Sequence, residues 1–490
     1  MLARSTFSPL VRLLGMLIAA GAILTSATAA RAEVEFDGLF SRGGVLQRGV
    51  KVPIFGTGDA GDEVTVEFQG KSASTKVKDG KWRVELGPLE AGGPHTLALS
   101  GTTSSLVRNV YVGDVWVCAG ESNMQSPVQS AEGYAAAIGA ARKNRELHFY
   151  TVKRAGADKP PVSNTGKWSE GAGSATIGAF SAVGYYFGRD IAEATDVPVG
   201  LIACNHFSST AEAWTSRESI LAEPTLKYLI EDAPPAYYTQ TPGKLYTGMV
   251  LPLADYAVKG VIFYQGESNV ERADKYRKLF PLLIADWRKA WNRPDLPFLF
   301  VQLNGYKPSS SKSGEGRPAE LREAQLEVWK TTPGTAMVVS TDFSDPYNQI
   351  PKAKEPIGKR LAFAARVLAY GEKFEYSGPV VREATVSGAV AKITFDHLGD
   401  GLSAKDGKLG GFALAGADGE FVPAEAEVVG NEVIVKSEAV KEPKQVRYNW
   451  DDFPVGNLFN KDGFPASPFG AKLIEAKTPP EMKEGVENTK

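Results

Sequence analysis

Apolar runs alternate with helical patterns between residues 109 and 372, and this alternation restricts the chain to a small group of folds. The apolar runs cover 110–118, 197–204, 257–264, 297–303 and 336–341. A helical repeat with spacings of three or four precedes the second run, at Phe180, Val183, Phe187 and Ile191. Strands that alternate with helices along the chain predict a parallel sheet with helices on both faces. Such sheets bind ligands at the carboxyl ends of their strands.

Short alternating segments on either side of this region predict two β-domains. Val64, Val66 and Phe68 share one face of a strand, and a turn at Asp79-Gly80 follows. After residue 374 the stretches "ATVSGAVAKITF" and "NEVIVKS" show the same alternation. We therefore predict an N-terminal β-domain over 33–108, an α/β domain over 109–373, a C-terminal β-domain over 374–475 and a tail over 476–490.

The first 32 residues have the pattern of a secretory signal peptide. Arginines precede an apolar run, and the small-residue pattern Ala30-Arg31-Ala32 comes directly before Glu33. No later stretch of the sequence is long and apolar enough to span a bilayer. We expect cleavage after Ala32, a periplasmic or secreted mature protein, and no membrane span once the signal peptide is removed.

Composition excludes some classes of partner. The 55 basic and 57 acidic residues give a net charge of -2, which lacks the positive field that a phosphate backbone requires, so we do not expect nucleic acid as a partner. No cluster of histidine, cysteine or acidic residues has metal-ligand spacing, and no glycine loop is typical of phosphate binding, so we expect no metal and no cofactor. Cys118 and Cys204 each fall near the end of a predicted strand, and we expect buried free thiols rather than a bridge.

Polar side chains follow four of the five predicted strands at the points where those strands end. One polar turn would be ordinary capping chemistry, but four at one edge of a sheet predict a site. The chain places there Gly120, Glu121, Ser122 and Asn123; Asn205, His206, Ser208 and Ser209; Gly266, Glu267 and Asn269; and Asp342, Asp345 and Asn348. Ser122 is the candidate nucleophile of this site. The polar segment 307–318 after the fourth strand predicts a surface loop, with a cover over the substrate as the alternative.

Long stretches of the chain resemble the sialate O-acetylesterase-like branch of the SGNH hydrolases. They include "LFSRGGVLQR", "GDVWVCAGESNMQSPV", "GVIFYQGESN" and "VRYNWDDFPVGNLFNKDGFPASPF". The resemblance covers nearly the whole mature chain, including both β-domains. It implies a flavodoxin-like SGNH sheet flanked by the two β-domains, and a secreted hydrolase that removes O-acetyl groups from a glycan or an acetylated sugar.

The resemblance also implies roles for individual residues. Ser122 aligns with the serine that attacks the ester, and Gly120 with the glycine that begins its turn. Asn269 aligns with the side chain that donates to the oxyanion. In this family a histidine before a proline in the last motif is the base, and an acidic residue supports it.

Three departures from the family pattern lie at this chemistry. Ile350 takes the place of the histidine, and Asn348 takes the place of the acid before it. The loop that carries an oxyanion-binding glycine in the family reads Asn205-His206-Phe207-Ser208 here, and Glu121 replaces a glutamine. Because a serine hydroxyl is a weak nucleophile without a neighbouring base, an ordinary serine esterase mechanism lacks one of its parts.

The sequence leaves three interpretations open. In the first, His206 on the loop beside Ser122 serves as the base with Asp345 as the acid, although His206 could instead pack where the tryptophan of the family stood. In the second, Glu121 and Glu267 form a carboxylate pair for glycoside cleavage, since a charge about 4 Å from an oxyanion opposes ester hydrolysis by on the order of 4 kcal/mol. In the third, the chain is a degenerate homologue that binds glycans without turnover.

Two further residues belong to the predicted site. Ser208 is a candidate for the substrate and oxyanion contacts, because it stands in the loop that departs from the family. Arg322 is a candidate for the site wall, with a structural ion pair as the alternative. The sequence specifies neither the sugar nor the oligomeric state.

Overall fold

The structure is a computed structural model that describes residues 33–141, 146–171, 173–232, 236–307 and 317–476. The predicted signal peptide, most of the predicted loop 307–318 and nearly all of the predicted tail lie outside these ranges. Within them, no helix is both long enough and apolar enough to cross a membrane.

The described part of the N-terminal region consists mainly of short antiparallel strands, as the alternating pattern predicted. Val64, Val66 and Phe68 are all buried on one face of their strand. The strands of this region are β1 (Glu35–Phe36), β2 (Val45–Gln47), β3 (Val52–Thr57), β4 (Glu63–Phe68), β5 (Lys71–Lys76), β6 (Lys81–Leu86), β7 (Gly92–Ser100) and β8 (Ser104–Gly120). The one parallel pair among these described strands is β2 with β8.

Strand β8 joins the N-terminal β-region to the centre of the fold. Its first part pairs with β7 and β2, and its last part pairs with the strands of the central sheet. The boundary that we predicted between residues 108 and 109 therefore falls inside a single strand of 17 residues. Val115, Val117 and Ala119 pack into the core on one face of the sheet, and Trp116 and Cys118 pack into the core on the other.

The central sheet has the order β10-β9-β11-β8-β12-β13-β14, and all its neighbours are parallel except the edge pair β10-β9. Its remaining strands are β9 (Leu147–Thr151), β10 (Ser169–Glu170), β11 (Val199–Asn205), β12 (Gly260–Tyr264), β13 (Phe298–Val301) and β14 (Thr335–Val338). The predicted α/β fold is confirmed. Since β8 comes first in the chain and later strands lie on both of its sides, its carboxyl end is the point where the strand order reverses, which is where such sheets bind ligands.

Helices cover both faces of this sheet. The α-helices are α1 (Ser122–Gln125), α2 (Tyr134–Ala141), α3 (Ser174–Ala179), α4 (Ala182–Thr195), α5 (Arg217–Ala222), α6 (Tyr228–Glu231), α7 (Ala273–Ala290), α8 (Arg317–Thr331) and α9 (Glu355–Tyr370). Helices α4 and α9 pack together on one face, and α7 and α8 pack together on the other. The helical repeat predicted from Phe180 to Ile191 corresponds to α4, whose buried side includes Val183 and Phe187.

The C-terminal region contains three small sheets, with the orders β20-β21-β16-β15-β25, β17-β23 and β19-β18-β22-β24. Its strands are β15 (Val380–Ser387), β16 (Val390–Asp396), β17 (Leu402–Ala404), β18 (Phe412–Ala415), β19 (Phe421–Pro423), β20 (Glu425–Val429), β21 (Glu432–Lys436), β22 (Gln445–Tyr448), β23 (Leu458–Asn460), β24 (Phe469–Lys472) and β25 (Ile474–Glu475). The second β-rich region predicted after residue 374 is thus present.

Arg322 ties this region to the central sheet and does not form a wall of the site, which corrects our expectation. It is fully buried on α8, and its guanidinium donates to the carbonyl oxygens of Leu303 at 3.0 Å, Asp451 at 2.7 Å and Asp452 at 2.9 Å. A planar group with five donors is suited to this task, because buried carbonyl groups need partners. The two cysteines are buried free thiols, as predicted.

Candidate active site

A sharp turn at the end of β8 presents Ser122 at the edge of the sheet. Gly120 has a φ of +130°, and a Cβ at this position would lie 2.1 Å from the carbonyl oxygen of Tyr264. Only glycine fits this close approach between two strand ends. The next backbone N–H, from Glu121, donates to the same Tyr264 oxygen at 2.9 Å, and helix α1 begins at Ser122.

The loop after β11 places a backbone donor on the candidate nucleophile. The N–H of Ser208 lies 3.3 Å from the Oγ of Ser122 and donates to it. Ser208 has a φ of +50°, in the left-handed region that favours glycine, so the backbone keeps a glycine-like conformation although the residue is serine. A donor in this position can contact an oxygen that develops negative charge beside Ser122.

Glu121 is buried beneath the turn and does not face the open side of the site. Its Oε1 accepts from the backbone N–H groups of Gly266 at 3.0 Å and Ser268 at 3.1 Å, and its Oε2 accepts from the Ser268 hydroxyl at 2.6 Å. Burial, and then the neighbouring carboxyl of Glu267, raise the pKa of Glu121 well above its usual range. Glu121 is therefore turned away from the open side of the site, and its burial favours the protonated form of its carboxyl group.

A series of buried, hydrogen-bonded polar groups extends from the Glu121 and Glu267 carboxyls. Asn123 is fully buried, and its amide nitrogen donates to Oε1 of Glu267 and to the carbonyl oxygen of Gln349 at 3.1 Å, while its Oδ1 accepts from the ammonium group of Lys354. Oε2 of Glu267 is buried without a hydrogen-bond partner among the described residues. The neighbouring carboxyl of Glu121 interacts with that of Glu267, and this is one cause of the raised pKa of Glu121.

Lys354 is the component of the site that the sequence interpretation missed. It lies directly before helix α9, is 2% exposed, and its nitrogen lies 5.7 Å from the centroid of the Tyr264 ring. Burial lowers the pKa of Lys354 to about 7, although the charge of Glu267 acts in the opposite direction. A lysine in a polar stretch before a helix is usually solvated, so no sequence pattern pointed to it.

A cavity of about 420 Å³ opens beside the loop that follows β11. Its lining includes Thr210 and Glu212 from that loop, together with Ser268 and Arg272 from the segment after β12. Arg272 and Glu212 form an ion pair at 3.2 Å. Ser268 binds Glu121, and Thr210 lies two residues after Ser208, so two residues of the cavity lining adjoin the elements that surround the Ser122 turn.

Comparison with known proteins identifies the family. A family model described as "carbohydrate esterase, sialic acid-specific acetylesterase" matches residues 112–366, which is more than half of the chain. Sialate O-acetylesterase from Homo sapiens is 32% identical over 367 residues, 67% of this chain and 69% of that protein. The same enzyme from Rattus norvegicus is 28% identical over 496 residues, 86% of this chain and 91% of that protein.

The chain belongs to the sialic acid-specific acetylesterase family of carbohydrate esterases.

A solved structure supports the family assignment over nearly the full length of the fold. The crystal structure of a carbohydrate acetylesterase from Xanthomonas citri matches with a TM-score of 0.84 and 37% sequence identity, covering 90% of this chain and 99% of that one. The predicted resemblance to this acetylesterase family, and the hydrolase class that it implied, are confirmed.

The segment that carries the histidine in other acetylesterases of this kind does reach the Ser122 turn, but without a base. Its contact is the carbonyl oxygen of Gln349, which accepts from Asn123. The next residue, Ile350, is 36% exposed, and its N–H donates to the side chain of Asn348 at 2.9 Å. The Asp345 carboxylate accepts from the N–H of Tyr347 at 2.9 Å, and within the described ranges no histidine is bonded to it, so it does not act there as the acid of a triad.

His206 is not positioned as the base of this acetylesterase site, which corrects the first of our interpretations. Its Nε2 lies 2.7 Å from the hydroxyl of Tyr238, and its Nδ1 lies 3.1 Å from the carbonyl oxygen of Phe207. Both ring nitrogens thus have partners other than Ser122. The side chain is 4% exposed, and burial lowers its pKa. The alternative that we considered, a histidine that packs and hydrogen-bonds where a tryptophan stood, describes this geometry.

Asn269 also has a different place from the one that the resemblance implied. Its side chain is 1% exposed, and its amide nitrogen donates to Glu212 at 2.9 Å. Its Oδ1 accepts from the N–H of Ala211 at 2.9 Å and from the side chain of Gln265 at 2.7 Å. None of these bonds goes to Ser122. Asn269 braces the loop that carries Ser208, and so acts on the acetylesterase site through that loop.

Proposed function

We propose that the chain hydrolyses O-acetyl esters of carbohydrates with Ser122 as the nucleophile. The observation that carries this proposal is the Ser208 N–H, which donates to Ser122 Oγ at 3.3 Å at the reversal point of the sheet. The acetylesterase family supports the reaction, and the cavity lined by Thr210, Glu212 and Arg272 provides polar contacts for a sugar.

The residues support a two-step acyl transfer. Ser122 Oγ attacks the carbonyl carbon of the acetyl group, and the Ser208 N–H contacts the oxygen that becomes negative. The bond between the acetyl carbon and the sugar oxygen then breaks, the sugar oxygen takes a proton from solvent and leaves as the alcohol, and water attacks the acetyl-serine to release acetate and restore the serine hydroxyl. No imidazole is bonded to Ser122 among the described residues, so solvent must accept the serine proton. We therefore expect slower turnover than in a homologue with the histidine.

Glycoside cleavage by Glu121 and Glu267 is not supported by the geometry. Glycoside hydrolysis needs two carboxyl groups on either side of the scissile bond, with the substrate between them. Glu121 is 1% exposed, and both of its oxygens accept hydrogen bonds from the loop after β12. A sugar cannot reach it without breaking that loop. The predicted carboxylate pair does exist, but it is internal.

One observation favours a second candidate function, the binding of acetylated glycans without turnover. Ile350 occupies the base position and reaches solvent, and Asn348 beside it is an uncharged amide. Neither side chain can accept a proton at neutral pH. A site that keeps the nucleophile and the oxyanion donor but lacks the base would retain the ester and release acetate very slowly.

Acetate release from acetylated oligosaccharides separates these candidates. We expect the wild type to release acetate, and Ser122→Ala to reduce the rate by a factor of a hundred or more. Ser130→Ala, which changes an exposed serine near the same turn, is the matched control. Equal rates for Ser122→Ala and the wild type would contradict the serine mechanism. Saturable binding of the acetylated glycan without any acetate release would favour the binding function.

We also propose that the protein is exported. The support is the pattern of arginines, apolar run and small residues before Glu33. N-terminal sequencing of the protein from its native host tests this proposal. A mature chain that begins at Glu33 in the periplasm or medium is expected, and a cytoplasmic chain that retains its first residues would contradict it.

A further inference from the structure

An arginine in the C-terminal region has hydrogen-bond donors that no described residue uses. Arg447 lies on β22, and its guanidinium carbon lies 3.9 Å from the centroid of the Phe421 ring and 4.4 Å from that of Trp450. Within the described ranges its side chain has these ring contacts but no hydrogen bond and no ion pair. A guanidinium stacked in this way keeps its N–H groups in its own plane, directed outward from the rings.

Arg447 lines two cavities, one toward each of the neighbouring strands. Arg447 is paired with Ala413 on β18 and with Gly470 on β24. A cavity of about 740 Å³ is lined by Ala413 and one of about 490 Å³ by Gly470, and Arg447 lines both. Trp450 and Glu323 pack directly over Gly470, where a Cβ would lie 3.0 Å from the Trp450 ring and 3.1 Å from Glu323 Oε1. Both volumes lie in the range of about 300–1,000 Å³ that is typical of small-molecule sites.

Both cavities lie on the side of the molecule that carries the Ser122 turn. The smaller one is lined by Asp274 and Glu320, from the first turns of α7 and α8, the helices that follow the carboxyl ends of β12 and β13. The larger one is lined by Pro454, which packs so closely on Gly305 that a Cβ there would lie 2.9 Å from it. Gly305 follows Asn304, a hydrogen-bond partner of Asn123.

The charges around Arg447 determine which ligand fits. The smaller cavity has three basic residues, Arg277, Arg447 and Lys472, and three acidic residues, Asp274, Glu320 and Glu323. The larger cavity has Arg447 together with Glu420 and Asp451. Neither cavity has an excess of positive charge, so an anionic ligand gains little there. Donors, acceptors and aromatic rings together suit hydroxyl groups and the apolar faces of a sugar.

We propose that these two cavities form an extended subsite for a neutral oligosaccharide, which is the part of the glycan beyond the sugar whose ester reaches Ser122. Arg447 donates to sugar hydroxyl oxygens, Glu420 accepts from sugar hydroxyl groups, and the rings of Phe421 and Phe453 pack against apolar sugar faces. This inference rests on the proposed function for its substrate, and it adds that the substrate is an uncharged chain rather than a single sugar.

Binding can be measured without catalysis, in the Ser122→Ala background. Isothermal titration with cellohexaose, xylohexaose and mannohexaose, and with hexagalacturonate as the acidic counterpart, gives the affinities. We expect at least one neutral hexasaccharide to bind more tightly than hexagalacturonate. Arg447→Met should weaken that binding at least tenfold, whereas Arg382→Met, an exposed arginine on β15, should leave it within twofold. Unchanged binding in Arg447→Met, preference for the acidic chain, or no binding of any neutral chain would overturn the subsite.

A second variant covers the case in which Arg447→Met does not fold. Val455 is 78% exposed and lines the larger cavity, so Val455→Asp adds a charge without disturbing a core. This substitution should weaken the binding of the neutral hexasaccharide at least fivefold, and an unchanged affinity would count against the subsite. Hydrolysis of 4-nitrophenyl acetate by chains with an intact Ser122 should stay within twofold in both variants. Binding of a neutral hexasaccharide without any esterase activity would refute the proposed function but support the subsite. Esterase activity without such binding would support the proposed function but refute the subsite.

Discussion

The ammonium group of Lys354 donates to Oδ1 of Asn123, the residue that follows the nucleophile. This bond connects the start of α9 to the turn at the end of β8, and it continues through Asn123 to Glu267. The side chain of Asn123, next to Ser122, is thus held between the buried side chains of Lys354 and Glu267.

The charge of Lys354 should make stability depend on pH. Its pKa is about 7 in the folded chain and near 10.5 when unfolded, so between these values the unfolded chain binds more protons and stability rises with pH. The free energy of unfolding of the wild type, minus that of Lys354→Met, should therefore increase from pH 7 to pH 10, by a few kcal/mol at most. Urea titrations across this range measure it. A difference that stays level with pH would show that Lys354 is not buried in this way.

Restoring the family's base should raise esterase activity. Ile350 stands where the histidine belongs, and Gln349 beside it already contacts Asn123. We expect Asn348→Asp with Ile350→His to increase kcat/KM for an acetylated sugar by ten to a thousandfold, because an imidazole then accepts the serine proton. Ile350→Ala is the control, and adding Ser122→Ala should abolish the gain. A double variant no faster than Ile350→Ala would mean that this segment does not serve the serine.

Glu121→Gln should be nearly silent, and Glu121→Ala should not. Burial raises the pKa of the Glu121 carboxyl and so favours its neutral form, and an amide of the same shape still accepts from the N–H groups of Gly266 and Ser268. We expect acetate release within threefold of the wild type for Glu121→Gln. Glu121→Ala removes the acceptor of three donors, the N–H groups of Gly266 and Ser268 and the Ser268 hydroxyl, at about 1–3 kcal/mol for each that stays unpaired, and should lower the melting temperature clearly. If reducing sugar were released by the wild type and lost in Glu121→Gln, the glycosidase interpretation would return.

His206 should prove dispensable for the chemistry. Its ring nitrogens are bonded to Tyr238 and to the Phe207 carbonyl oxygen, away from Ser122. His206→Gln should therefore keep kcat within about fivefold of the wild type, with any loss of stability matched by Tyr238→Phe, which removes the partner hydroxyl. Steady-state kinetics and thermal unfolding of both variants give the answer. A loss in His206→Gln as large as that in Ser122→Ala would make His206 the base after all.

The sequence predicted the fold well because the spacing of apolar residues, which determines which side of a strand or helix is buried, can be read within each segment alone. The alternation around β8, β11, β12, β13 and β14 indicated a parallel sheet, and the resemblance placed Ser122 at its edge. Strand β9 (Leu147–Thr151) was not predicted, because one short apolar segment does not distinguish a strand from a helix or a core loop.

The site was less predictable because the direction in which a side chain points depends on how the whole chain packs. Glu121 and His206 were correctly placed at strand ends, but their side chains turn inward to Ser268 and sideways to Tyr238. Lys354 was missed because charged residues are almost never fully buried without a partner, and its partner Asn123 lies 231 positions away in the sequence. Such long-range polar contacts leave no local pattern.

The continuity of β8 has a consequence for how the protein can be divided. A chain that started at residue 109 would keep the catalytic turn but lose the first five residues of the strand and the partner β7. Val110 and Val112 are now 2% and 0% exposed. In the shortened chain they would lie on an unpaired edge strand, whose free N–H and C=O groups can pair with another chain and so promote aggregation. Heat should accordingly melt the N-terminal β-region and the central sheet in one cooperative transition, and neither should be obtainable as a well-behaved fragment.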